Sequence, residues 1–129
     1  MVKVYVKKEI ICPVSSSKVK DSLKKLFLSE GIVSEATVSL SFVGEAKMMQ
    51  LANTHLKESN TVHSVLSFPF LEDKDFFANP PGNDIHLGDI VICYPEVVRL
   101  ARKEDKLIDE VAIDLAEHGA LHLLGKHHD

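Results

Sequence analysis

At 129 residues with 45% hydrophobic side chains, the chain is the size of one domain, residues 1–129, that buries a core without disulfides. Its net charge of −4 excludes a molecule coated in positive charge, so any contact with nucleic acid has to come from a local patch. No apolar run approaches the length of a membrane span, and Cys12 and Cys93 lie far apart beside apolar runs; two reduced, buried thiols in a cytoplasmic protein are expected.

Residues Val2 to Ile11 alternate apolar and polar with strong β formers until Pro13, which predicts a first strand and no signal-sequence core. Ser15, Ser16 or Ser17 can cap a helix in which Val19, Leu23, Leu26 and Phe27 recur at helical spacing up to Gly31. Ala36 to Val43 sets Val38, Leu40 and Phe42 against Thr37, Ser39 and Ser41, the pattern of a strand with one covered face. Gly44-Glu45 opens a helix through Met48, Met49, Leu51 and Ala52, which breaks up in the polar run Lys57 to Thr61.

A short strand, Val65 to Phe68, closes at Pro69 and leads into a loop carrying Pro80-Pro81-Gly82-Asn83, expected to be mobile. His86 to Cys93 returns as a strand, Pro95 starts a helix with Val97, Val98, Leu100 and Ala101 inward, and a last helix runs from roughly Lys106 to Leu124. The alternation of strands and helices, with hairpin-like spacing between the third and fourth strands, predicts an α+β (α/β layered) fold with a mixed sheet of about four strands.

Four of the seven histidines fall in the last dozen residues, His118-Gly119-Ala120-Leu121-His122-Leu123-Leu124-Gly125-Lys126-His127-His128-Asp129. Residues four apart on a helix differ by only about 40° around its axis, so His118 and His122 can hold one ion. Gly125 can take the left-handed conformation that reverses the chain and returns His128 as a third nitrogen ligand, with His127 as its competitor. Three protein ligands leave one position open, the mark of a catalytic zinc. The apolar stripe Ile108, Val111, Ala112 and Leu115 runs into the two histidines, so both imidazoles are expected to face the protein; the plainer alternative is an amphipathic helix with two satisfied core histidines and a solvated tail.

Three segments in order carry a resemblance. The C-terminal run fits HGxLHLxGxxH, Val65-Leu66-Ser67-Phe68-Pro69 fits VLSFP, and Leu87-Gly88-Asp89-Ile90 fits LGDI. With these the chain resembles the YbeY family of metal-dependent endoribonucleases, the bacterial rRNA maturation factors. The resemblance implies one Zn²⁺ per chain on His118, His122 and His128, and hydrolysis of single-stranded RNA in small-subunit rRNA end maturation and ribosome quality control. It implies the ribosome or its small subunit as partner, with no DNA and no membrane.

The family's active-site arginine falls by spacing on Lys57, which keeps the charge but loses the bidentate fork. The family's aspartate before the third histidine is His127 here, and the acidic or amide residue before VLSFP is Ser64. Relatives commonly continue past the signature, where this sequence ends at Asp129, a carboxylate beside the third ligand that could approach the ion or its water. Lys57 is therefore the candidate phosphate clamp, and His118 belongs to both the catalytic and the metal sets.

Asp89 is a candidate to orient a histidine through its second ring nitrogen, or else caps a strand end; Ser67 either faces the site or bonds to backbone. Arg99, Arg102 and Lys103 share a helix side with Glu96 and Glu104 and read as a solvated, self-paired face; Lys126 is a further basic candidate along an RNA path. His55, His63 and His86 stand isolated.

Zinc proteases place a glutamate after the first histidine to take the proton of water, and Gly119 here disfavours that route. The remaining alternative is a non-catalytic, zinc-containing, ribosome-associated binding module.

Overall fold

The computed structural model describes residues 1–56, 62–69 and 85–126. The expected layered α+β arrangement is present in it. The described elements are β1 (Val2–Lys8), α1 (Ser16–Ser29), β2 (Ala36–Val43), α2 (Glu45–Leu56), β3 (Val65–Pro69), β4 (Ile85–Cys93), α3 (Tyr94–Glu104) and α4 (Ile108–Leu123). The strands form one mixed sheet in the order β1-β2-β4-β3. β1 and β4 both run parallel to β2, while β3 runs antiparallel to β4, as its short spacing from that strand predicted. β1 stops at Lys8, short of the expected Ile11, because the chain bends at Glu9-Ile10 and Ile11 points into solvent. The Pro80-Pro81-Gly82-Asn83 loop lies outside the described residues.

Strand alternation assigns the two faces. Val2, Val4, Val38, Leu40, Phe42, Ile90 and Ile92 point to one side, where Val19, Leu23 and Phe27 of α1, Val97 and Ala101 of α3 and Val111, Ala112, Ala116 and Ala120 of α4 complete the larger core. Val98 and Leu100, expected inward on α3, are only half-buried. Val43, Val91, Cys93 and Leu66 point to the other side, under Met48 and Ala52 of α2. Cys12 and Cys93 are both free and buried.

α1 and α4 lie side by side and parallel. Ser15, which caps α1 by accepting from the Lys18 amide, donates its own N–H to Asp109 Oδ1 at 3.0 Å. Near the middle of the pair, Ser22 Oγ donates to Glu117 Oε2 at 2.6 Å, and at the far ends Lys126 pairs with Glu30. These ties run along one flank of α4 and leave the opposite flank beside β3.

Candidate metal centre

α4 presses on the sheet through small residues. An added Cβ at Gly119 would stand 2.8 Å from Ile90 Cγ2, 3.0 Å from Ser67 Oγ and 3.3 Å from Val65 Cγ2. Gly88 sits at a register shift opposite Thr37 and Val38 with φ 151°; a Cβ there would lie 2.5 Å from the Phe68 carbonyl oxygen and 2.7 Å from Leu123 Cδ2. Two glycines, one on the helix and one on β4, thus let the histidine-bearing turns come down onto β3 and β4.

His118 and His122 emerge from the β3 flank with ring centroids 4.6 Å apart and planes 39° off parallel. Their expected orientation needs correction: His118 is exposed and His122 half-buried. The residues of α4 that bury are Val111, Ala112, Ala116, Gly119 and Ala120, so at the turn of His118 the contact with the sheet is made by Gly119 and Ala120. The rings therefore meet each other at the edge of the sheet instead of entering the core.

The turn that follows is the one the glycine predicted. Gly125 has φ 80°, its N–H donates to the His122 carbonyl at 3.0 Å, and the Lys126 N–H donates to the Leu121 carbonyl at 2.9 Å. This pair of bonds is a Schellman closure, which satisfies the terminal carbonyls and reverses the chain. His127, His128 and Asp129 lie outside the described residues, as does Lys57.

Two imidazoles on successive turns are the nitrogen donors that a zinc-like ion takes, and their ring spacing lets them converge on one ion. Among the described residues, no third histidine, cysteine or carboxylate joins them to make a group able to hold a metal.

Ser67 Oγ donates to the Gly119 carbonyl at 2.9 Å, the backbone alternative for this residue. Asp89 does bond a histidine, but it is His86: Nε2 lies 3.0 Å from Asp89 Oδ1, and Nδ1 lies 2.8 Å from Thr37 Oγ1. Asp89 shares its face with Val91 and α2, opposite α4, because odd and even positions of β4 point to opposite sides. Sequence spacing gave no hint of this Thr37–His86–Asp89 chain, since regular alternation would set His86 and Asp89 on opposite faces of β4 and only the register shift there brings them to one.

His55 also has a place: its ring packs against Phe68 at 4.9 Å with a 55° tilt. Arg99 is clamped by Glu96, with Nη2 to Oε1 at 2.7 Å, one pair of the expected self-paired face on α3, while Glu104 pairs with Lys106; the Glu96 carboxylate raises the Arg99 pKa further.

A family model described as Endoribonuclease YbeY matches residues 5–129. Among curated relatives of the same description, one from Moorella thermoacetica is 38% identical over 104 residues, 78% of this chain and 65% of its own length. One from Alteromonas mediterranea is 37% identical over 100 residues, covering 77% and 58%, and one from Bartonella quintana is 36% identical over 121 residues, covering 94% and 72%. The chain thus spans between 58% and 72% of the length of these relatives. The solution structure of a Thermotoga maritima protein aligns with 98% of this chain and 75% of its own at a TM-score of 0.59 and 21% identity, which supports the fold alone.

Proposed function

The chain belongs to the endoribonuclease YbeY family, and from that premise we propose that it is a zinc-dependent endoribonuclease, one domain over residues 1–129, that cleaves single-stranded RNA. The observation that carries this reading is the approach of the His118 and His122 rings to 4.6 Å one turn before the Gly125 reversal. In this reading His118, His122 and His128 hold one zinc ion. Held by three imidazoles, such an ion would keep its full charge and would supply a Lewis acid for a phosphoryl oxygen and a more acidic water at neutral pH.

The chain's own groups supply the rest. Lys57 stands as a point charge for the phosphate, where a guanidinium would have made two parallel hydrogen bonds. Position 119, pressed on Ile90 and Ser67, has no room for a carboxylate that could serve as the base of a zinc protease. The Ser67 hydroxyl spends its proton on the Gly119 carbonyl and acts by seating the helix. His127 and Asp129 flank the third ligand, where either can accept a proton from the site or orient His128.

The substrate in the cell is rRNA at the end of the small subunit, and the setting is ribosome maturation and quality control in the cytoplasm. Two buried free thiols suit that compartment, and among the described residues no helix is long and apolar enough to cross a membrane.

The test is cleavage of a labelled single-stranded RNA by the full chain with zinc. Activity is expected to vanish on chelation, return with zinc, and stay absent in His118→Ala and His122→Ala. Stoichiometric zinc binding with no cleavage above the His118→Ala background would leave only the non-catalytic, ribosome-associated module.

A further inference from the structure

Among the described residues, α2 covers only one end of its face of the sheet. Beyond it the strand registers build an open surface: Lys3 beside Thr37 and His86, then Tyr5 beside Ser39, Asp89 and Phe68, then Lys7 beside Ser41 and Val91. Tyr5 is 56% exposed on this surface, while its neighbours in β1, Val4 and Val6, turn to the core. A cavity of about 610 Å³ runs between α2 and the sheet, lined by Ser41, Lys47, His55, Phe68 and Asp89 among others. It ends at β3, the strand whose Ser67 bonds through to the Gly119 carbonyl of α4, next to His118.

The chemistry of this face is specific. Lys3, Lys7 and Lys47 are exposed, and among the described residues none of the three forms an ion pair, whereas Lys18, Lys106 and Lys126 all do. Around the lysines lie three hydroxyls, two carboxylates, Asp89 and Glu9, and an open phenol ring; the other ring, Phe68, is already faced by His55. The apolar part of the cavity, Val43, Leu51, Leu66 and Val91, lies against α2, whereas the rows at Lys3 and Tyr5 beyond it carry hydroxyls, charges and rings. A flat sheet with a ring for stacking, short acceptors for base edges and cations at its rim matches a single-stranded nucleic acid, whose unstacked bases expose both faces and edges.

We propose that this open face binds the stretch of single-stranded RNA that flanks the scissile phosphate. A base stacks on Tyr5, the hydroxyls of Thr37, Ser39 and Ser41 and the Asp89 carboxylate meet base edges, and Lys3, Lys7 and Lys47 take backbone phosphates. A duplex keeps its bases stacked and cannot use the ring, so the face selects single strands. The proposal rests on the endoribonuclease reading for its substrate class.

Fluorescence anisotropy with a labelled single-stranded RNA of about 12 nucleotides tests it on the full chain, with chelator present to block cleavage. Tyr5→Ala is expected to weaken binding about tenfold while Tyr5→Phe binds as wild type. The double variant Lys3→Gln/Lys7→Gln is expected to flatten the dependence of log affinity on log salt by about 1.4, the loss of two phosphate contacts on a single strand. All these residues are exposed, and unchanged thermal melting is the check that the variants fold. If Tyr5→Ala and the lysine pair both bind with wild-type affinity and salt slope, the platform is refuted; cleavage by wild type and not by His118→Ala would leave the endoribonuclease reading standing. If wild type neither binds nor cuts, both fall.

Discussion

The hydroxyl of Ser67 donates to the carbonyl of Gly119 at 2.9 Å, so β3 is bonded to α4 at the residue that follows His118. The helix seats closely on the sheet here because position 119 has no side chain. A glycine inside a helix costs about 1 kcal/mol relative to alanine, and here the close approach to Ile90, Val65 and Ser67 offsets it.

Gly119→Ala therefore acts against its helix propensity. The added methyl meets Ile90 Cγ2 at 2.8 Å and Ser67 Oγ at 3.0 Å, so α4 has to lift. A net loss of about 1–2 kcal/mol in urea unfolding is expected, together with weaker zinc binding because the histidine turns move with the helix. Wild-type stability in this variant would show that the helix is not seated as described.

Gly125→Ala separates conformation from space. Nothing lies within 4 Å of the Cβ it would add, yet its φ of 80° is left-handed. The cost is expected to be about 1–2 kcal/mol, with Gly125→Asn between alanine and wild type. Zinc affinity, measured by competition with a chelating dye, is expected to fall with it, since the turn directs the chain that carries His128. A variant that melts early but binds zinc as before would take the third ligand away from that turn.

Cys93 gives a dependence on pH. Burial pushes its thiol above the ordinary value, helped by the carboxylates of Glu96 and Glu45 and opposed by a backbone hydrogen bond from Glu96. A folded pKa above the unfolded one favours the protonated state in the fold. Below an unfolded value of about 8.5 both states hold the proton and the contribution is complete. As pH rises past it the unfolded chain ionises first, and stability is lost until the folded thiol titrates as well. Unfolding free energy is expected to fall more steeply from neutral to alkaline pH in wild type than in Cys93→Ala; equal slopes would refute the shift.

Much of this molecule was legible in the order of its residues, and the reasons are local. Helical spacing in α1, alternation in β2 and the cap at Ser15 depend on neighbours within a few positions, so these elements stand where they were expected. The Gly125 reversal was legible for the same cause: one glycine at a helix end decides its own dihedral angles.

The tertiary structure decided which way side chains look. The apolar stripe and the histidines of α4 share a helix, but only the docking of Gly119 onto β3 turns His118 out to the sheet edge. Asp89 was visible as a carboxylate in a strand; that its partner is His86, three residues earlier in β4 and across the sheet from α4, follows from the register shift between Thr37 and Val38, which puts both on one face. Sequence spacing fixes angles around one axis, whereas contact between elements depends on register and on how closely two backbones approach, and those are set by packing.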